Sequence, residues 1–439
     1  MQRLWLRVAF ATALVGVLVA PAIATANPFV VERSIMGFNP DFPTLLAPDI
    51  SGDTIVYGLE PTLGARTVPV FSLARGDVTS ILSSSPWDIT AQSVSGDWVV
   101  YSANSDIRAR NIKTGTSKGV TTDAATLWDG LPAVSTADGA YVVWSRFSGG
   151  QYDVLGRNLG ISGSPFTVAG GTGNQTFPVI HGKHVAYIDG ASGTDTVFVK
   201  TIGSAAEPVR LTTDGHAQAV PDIGDHLVVW LAYNTSGWYF IRYYDFNTGL
   251  VYDGPSSTQQ SMLNPQVSGD RILYNVFNGA NQDLYVYDTR IAKTDAVGAS
   301  FVIAATTNED RFGRIDGNQL TYMTGNIVYF ARLVVPSISL SAVPGRIPHG
   351  GHIHLKGSIS DQGHRIAGAT IGIERYGSGK WTRIKTLTAT STGTFSYQTP
   401  KNYTKTKYRV VYDGKVDHFG APSANHLSAV SAVKTAWPR

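Results

Sequence analysis

Ser95-Gly96-Asp97-Trp98-Val99-Val100-Tyr101 decides the fold, because close copies of this segment recur along residues 27–333. It reads as a glycine turn followed by an apolar run that ends in an aromatic. Its counterparts are Ser51-Gly52-Asp53 to Tyr57, Asp138-Gly139 to Trp144, His181-Gly182 to Tyr187, Gly224-Asp225 to Trp230, Ser268-Gly269-Asp270 to Tyr274, and Asp316-Gly317 to Tyr322. The terminal aromatics lie 44, 43, 43, 43, 44 and 48 residues apart. A fixed period of this length marks one supersecondary unit repeated seven times.

Each copy follows one plan. Pro48, Pro132, Pro178, Pro221 and Pro265 stand just ahead of the turns and are expected to open a short strand, where a missing N–H is tolerated. Glycine then accepts the positive φ of a tight hairpin turn. The next run, such as Leu227-Val228-Val229-Trp230, is continuously apolar, as in a strand covered on both faces. A third strand starts at Asp106, Asp153, Asp195 or Asp283, and turns such as Asn247-Thr248-Gly249 lead to a fourth. Four strands per copy of about 43 residues predict a blade of a β-propeller. The seventh copy stops after Ile327-Val328-Tyr329-Phe330, and Phe29–Ile35 has the length and apolarity to supply its missing strand. Closure from the N-terminus would remove an open sheet edge. An unclosed or eight-bladed ring is the alternative.

The remaining composition agrees with an all-β chain. Of 439 residues, 43% are apolar, 15% charged and 10% aromatic, with 46 glycines. That mix favours a folded chain of short strands and tight turns over disorder. Residues 1–26 read as a secretory signal: Arg3 and Arg7 precede the apolar run Val8–Ala20, and Ala24-Thr25-Ala26 offers a cleavage site. The run is short for a membrane span; an uncleaved N-terminal anchor is the alternative to cleavage after Ala26. A secreted or periplasmic protein with no span after signal removal is expected, and a monomer. Removing the signal takes two arginines from a net charge of +3, and no Lys/Arg cluster tracks a phosphate backbone, so nucleic acid is not an expected partner. The absence of cysteine excludes disulfides and thiolate chemistry.

Two resemblances follow from these residues. Leu211-Thr212-Thr213-Asp214-Gly215-His216-Ala217-Gln218, followed by Pro221, and the Ser-Gly-Asp-x-x-Val-Tyr/Trp segments resemble TolB-type propeller repeats. The resemblance covers the repeat region and implies a seven-bladed propeller. The Tol translocation protein carries an α/β domain ahead of its propeller, for which Ala26 and the first copy leave no room, so a Tol role is not implied. Beyond Pro336 seven strand candidates follow: Ser337–Val343, His352–Ile359, Ala369–Arg375, Thr382–Ala389, Thr394–Thr399, Lys407–Tyr412 and Leu427–Val433. They predict a small β-sandwich over 334–439. Ile366–Ala369, Trp381-Thr382, Gly393–Phe395 and Tyr408–Gly414 resemble bacterial immunoglobulin-like modules, which are usually spacers or adhesion units.

Loops leading into the innermost strands of a propeller rim one mouth and are the first place to seek a ligand. Here they carry Trp87, Asp88, Trp128, Asp129, Gln175, His216, Gln218, Gln260, Asn264, Glu309, Asp310 and Arg311. Rings beside amides and carboxylates suit a sugar or a peptide; singly, each is also an ordinary solvated turn residue. His349, His352 and His354 form the densest histidine group, yet a closed metal site needs further ligands that the sequence does not identify. His181 and His184 are the close pair of the repeat region, and His181 takes a position held by serine in three other copies. No Gly-x-Ser-x-Gly elbow, HExxH or phosphate loop occurs, and no cofactor is implied. The expected function is non-catalytic binding of a protein or polysaccharide at the propeller mouth, with the sandwich as spacer or attachment module. A carbohydrate-active lyase or glycosidase is the alternative. Three or more Asp, Glu, His or Arg side chains meeting in the channel would favour the enzyme, and a scattered or apolar lining would favour binding.

Overall fold

The structure, a computed structural model, describes residues 30–36, 44–60, 67–82, 91–122, 127–213, 218–293, 299–343, 346–361, 364–414 and 427–438. Seven four-stranded antiparallel sheets run in succession as the blades of a propeller. Their innermost strands, blades 1 to 7, are Thr44–Ser51, Gln92–Ser95, Trp128–Ser135, Gln175–His181, Gln218–Ile223, Ser261–Ser268 and Asp310–Asp316. In blades 1 to 6 consecutive strands pair from inside to outside. Blade 7 draws three strands from its own copy, and Val30–Met36 pairs with Ile327–Leu333 as the fourth, Val30 opposite Leu333. The truncated copy is completed from the other end of the repeat region, and the ring closes.

The apolar second strands lie between sheets, as their composition requires. Val99, Val100, Val142, Val143, Val228 and Val229 are wholly buried. Cores form between neighbouring blades: Ala186 and Val197 of blade 4 pack with Val228 and Trp230 of blade 5. The prolines occupy a different place from the one expected. They do not open the inner strands but sit within them, at a β-bulge where the register slips, as between Gly130 and Ala133 or Thr176 and Val179. The residue ahead of four of the five is left-handed, with φ 55° at Leu131, 53° at Phe177, 47° at Val220 and 48° at Asn264. The ladder is already broken there, so a proline forfeits no strand hydrogen bond.

The Ser-Gly-Asp turn joins one blade to the next. Ser51 Oγ accepts from Gly96 N (3.0 Å), Ser95 Oγ from Thr136 N (3.1 Å), and Ser135 Oγ from Gly182 N (2.8 Å). Ser268 Oγ accepts from Gly317 N (2.8 Å), and Asp316 Oδ2 closes the circuit by accepting from Gly52 N (2.6 Å). Between blades 4 and 5 the same two positions hold His181 and Asp225, whose side chains pair at 2.9 Å. Blade 5 has Gly224 where others have serine. Its junction with blade 6 is made instead by Asp222 Oδ2, accepting from Val267 N (2.7 Å), and by His226 against Asp270 (3.1 Å). All seven junctions are bridged.

Beyond residue 333 two sheets share one core. Ser337–Val343, His354–Asp361, His364–Arg365 and Thr394–Gln398 form one, and Arg346–Ile347, Lys434–Pro438, Thr406–Tyr412, Thr370–Gly377, Lys380–Thr388 and Ala429–Val430 the other. Leu355 and Phe395 of the first pack with Ile371, Ile373 and Val410 of the second. The last strand candidate, Leu427–Val433, is strand only at Ala429–Val430, because the preceding residues serve the propeller. Leu427 is buried in a cluster with Tyr287, Ile291 and Phe301 of blade 6. Ser428 N donates to Asp288 Oδ2 (3.0 Å), and Ser428 O accepts from Arg271 (2.7 Å). Beside this contact Arg290 bridges Asp270 of the propeller (2.6 Å) to Glu374 of the sandwich (3.4 Å). Arg409 holds Glu374 from the other side at 2.7 Å. Burial alone would raise the Asp270 pKa, but Arg290 and His226 outweigh it and hold the carboxyl far below its ordinary range.

Two outcomes test these joints. Deleting residues 27–36 exposes the Ile327–Leu333 edge; size-exclusion chromatography should then show association, and the thermal midpoint should fall. Ser135→Ala strands a buried N–H donor and should cost ~1–2 kcal/mol in denaturant unfolding. Ser268→Ala, at an exposed turn, should cost less.

Candidate functional site

The inner strands enclose a channel cavity of about 590 Å³ that opens among the turn residues Ser51, Ser95, His181 and Ser268. This is the end where the inner strands finish, opposite the loops that lead into them. The same position of each inner strand, two residues before the serine of the turn, faces this cavity. Around the ring it is Asp49, Ser93, Ala133, Val179, Asp222, Gln266 and Arg314. This ring of positions therefore turns two carboxyls and one guanidinium toward the channel.

Asp49 accepts from Ile50 N (3.0 Å) and from Val94 N of blade 2 (2.8 Å), and Asp222 from Val267 N of blade 6. Burial drives both carboxyls upward, Asp222 being pushed up to about 6 and Asp49 raised as well. Arg314 opposes the shift at both, and the Asp49 charge adds to it at Asp222. Arg314 itself donates to Gly313 O (3.3 Å) and pairs directly with neither acid among the described residues. At the mouth the hydrogen bond to Asp225 raises the His181 pKa and lowers that of Asp225. His181 is thus an inter-blade joint. His184 lies opposite it, bonded to Thr201 (3.0 Å) and beside the Phe246 ring.

The residues expected at the far mouth fall into three groups. Asp129, Gln175, Gln218 and Asp310 occupy one equivalent position, four residues before the channel-facing one, and all are buried. Asp129 is clamped by Arg146 (2.7 Å) and by the Trp144 indole N–H (3.0 Å). Gln175 donates to Thr172 O (3.2 Å). Asp310 accepts from Thr306 N (2.8 Å) and Thr324 (2.5 Å), and burial raises its pKa. Gln175 and Asp310 thereby fasten the loops leading into their own strands, while Asp129 ties its strand to the second strand of the same blade. In the second group, Trp128 lies over Gly130, where a Cβ would come within 2.3 Å of the ring, and against Tyr152. Arg311 pairs with Glu309 (2.8 Å) over the Phe312 ring, and Asn264 is a left-handed bulge residue. Trp87, Asp88 and His216 lie outside the described residues.

Asp49, Asp222, Gln266 and Arg314 were not singled out from sequence. A signal existed: three of them follow the repeated proline directly, and alternation from the bulge aims that position at the axis. In the sandwich, His352 Nδ1 lies 2.6 Å from Thr399 O, and His349 meets the Tyr403 ring edge-on. Among the described residues no three His, Asp or Glu side chains are grouped to hold a metal ion.

No protein-family model and no curated protein matches the sequence. The fold is similar to solved propellers. The β-propeller domain of the Trilobed protease from Pyrococcus furiosus is 11% identical with a TM-score of 0.50; the match covers 74% of this chain and 95% of that one. A puromycin-hydrolyzing peptidase from Mycobacterium tuberculosis is 13% identical with a TM-score of 0.51, over 80% of this chain and 55% of that one. This chain thus spans about half the length of that peptidase. TolB from Acinetobacter baumannii is similar at a TM-score of 0.41 and 17% identity, over 64% of each chain. At these identities the likeness establishes the propeller fold. The Pyrococcus domain is described as an open-Velcro ring, whereas here the first strand closes blade 7.

The channel has a pH signature. A carboxyl whose pKa is higher folded than unfolded favours the folded state at low pH and loses that contribution as pH rises through its folded value, here about 6 for Asp222. Asp222→Asn keeps an oxygen for Val267 N and removes the charge. It should raise the thermal midpoint by a few degrees at about pH 7.5 and leave it unchanged at about pH 4.

Proposed function

We propose that this chain is an exported, non-catalytic binding protein whose propeller mouth recognises an extracellular polysaccharide or protein. The 334–439 module, read as immunoglobulin-like, sets the propeller at a fixed attitude to whatever surface it attaches to. The observation carrying this reading is the construction of the channel. Its two carboxyls are clamped by main-chain N–H groups of adjacent blades, so its polar surface is rigid and preformed, as low-cost binding requires. The signal-like residues 1–26 support export. No helix among the described residues is long and apolar enough to cross a membrane.

A second reading, a carbohydrate-active enzyme, is favoured by Asp49, Asp222 and Arg314 lining one channel, although both carboxyls are committed to main-chain N–H groups of adjacent blades and Arg314 pairs with neither among the described residues. A carboxyl titrating near 6 in a cleft suits proton transfer at neutral pH. One experiment separates the two. The secreted protein is applied to glycan and extracellular-protein arrays, and the bound glycans are assayed for new reducing or unsaturated ends. Capture without product is expected. Product formation abolished by Asp222→Asn would establish the enzyme, and absence of capture on both arrays would overturn the binding reading.

A further inference from the structure

The channel offers counterparts to both surfaces of a pyranose ring. Such a ring has an apolar C–H face and an edge of hydroxyls, each of which donates one hydrogen bond and accepts others. A site for it needs an exposed apolar face beside a fence of mixed donors and acceptors.

Phe177 supplies the face. It lines the cavity and keeps 46% of its surface exposed, whereas the aromatics between blades, Trp144 and Trp230, are wholly covered. Its left-handed conformation, φ 53°, is the one that the bulge position takes in blades 3 to 6. The fence is the ring of channel positions. Asp49 and Asp222 accept, Arg314 only donates, and the amide of Gln266 does both. Gln92, also on the cavity, donates to Ala47 O and leaves its own carbonyl oxygen buried without a hydrogen-bond partner.

The spacing of the charges narrows the ligand. Arg314 acts electrostatically on both Asp49 and Asp222 yet forms an ion pair with neither. A group set between them must donate to a carboxylate and accept from a guanidinium. A hydroxyl does both; an ammonium or a carboxylate does one. Among the charged lining residues four aspartates stand against two arginines, with His181 besides. That balance disfavours a uronate or a sulfated sugar.

We infer that the channel takes the terminal pyranose of an uncharged glycan, its C–H face on Phe177 and its hydroxyl edge across Asp49, Asp222 and Arg314. The inference rests on the binding reading above and names its ligand.

The test is calorimetric titration of the full mature protein with neutral tetrasaccharides of glucose, mannose, galactose and N-acetylglucosamine, and with a galacturonate tetramer. Phe177→Ala, Arg314→Gln and the outer-strand control Val209→Ser are titrated alongside, with thermal midpoints to confirm folding. At least one neutral tetrasaccharide should bind, roughly tenfold or more weakly in Phe177→Ala and Arg314→Gln, and unchanged in Val209→Ser. Binding of galacturonate alone, of no tetrasaccharide, or of a neutral one with equal affinity by folded Phe177→Ala would overturn the inference. Polymer capture on the arrays that survives Phe177→Ala would leave the binding reading standing and remove only this site.

Discussion

The propeller depends on satisfying one backbone donor per blade. A hairpin turn at the inner rim points an N–H at the neighbouring blade, and a buried or half-buried donor without a partner is costly. The residue that opens the preceding blade's turn answers it: serine at four junctions and Asp316 where the ring closes. Where the pattern is broken, other groups make the same link. His181 and Asp225 replace hydroxyl and amide with a side-chain hydrogen bond, and Gly224, having no side chain, leaves the task to Asp222 and His226. The repeat persists through blades that share few residues because each must offer its neighbour an acceptor. Two channel carboxyls are drawn into this duty, which fixes their orientation and commits oxygen lone pairs to structure.

The blades were legible in the sequence because the turn glycine and the doubly covered second strand recur at one period. So was the closing strand, since a three-stranded copy leaves an edge that must be paired. The inner strands were less legible. Proline suggested a strand start, but a left-handed residue ahead of it breaks the ladder mid-strand, and nothing in a residue such as Val220 announces positive φ. With the proline read as a strand start, Asp129 and Gln175 fall in loops at the rim, whereas in the structure they are buried residues of the inner strands. Asp49, Asp222 and Arg314 sit on the axis because the bulge rotates the strand after it.

The sandwich was legible as a set of strands, but its attachment was not. Contacts such as Arg290 to Glu374 and Ser428 to Asp288 join residues far apart in sequence and carry no local pattern. They make the module part of the propeller's outer wall. Leu427 completes a blade-6 cluster from the other module, and Glu374 gathers arginines from both. A buried carboxylate held by several guanidiniums contributes more to defining one docked arrangement than to net stability. The term spacer therefore understates a module whose orientation is fixed.

The closing strand also sets a timetable. Val30 pairs with Leu333, so the first of the described strands has no native partner until blade 7 has emerged from the ribosome. Local hairpins within each blade can form as they appear, but the ring cannot, because its closure is the contact of longest range in the propeller. A chain kept from closing in this way stays conformationally open until residue 333 of its 439 has been made. For the exported chain proposed above, late closure is compatible with transport first and folding afterwards. The same delay leaves two unpaired sheet edges exposed in the interval, a window in which association between chains competes with ring closure.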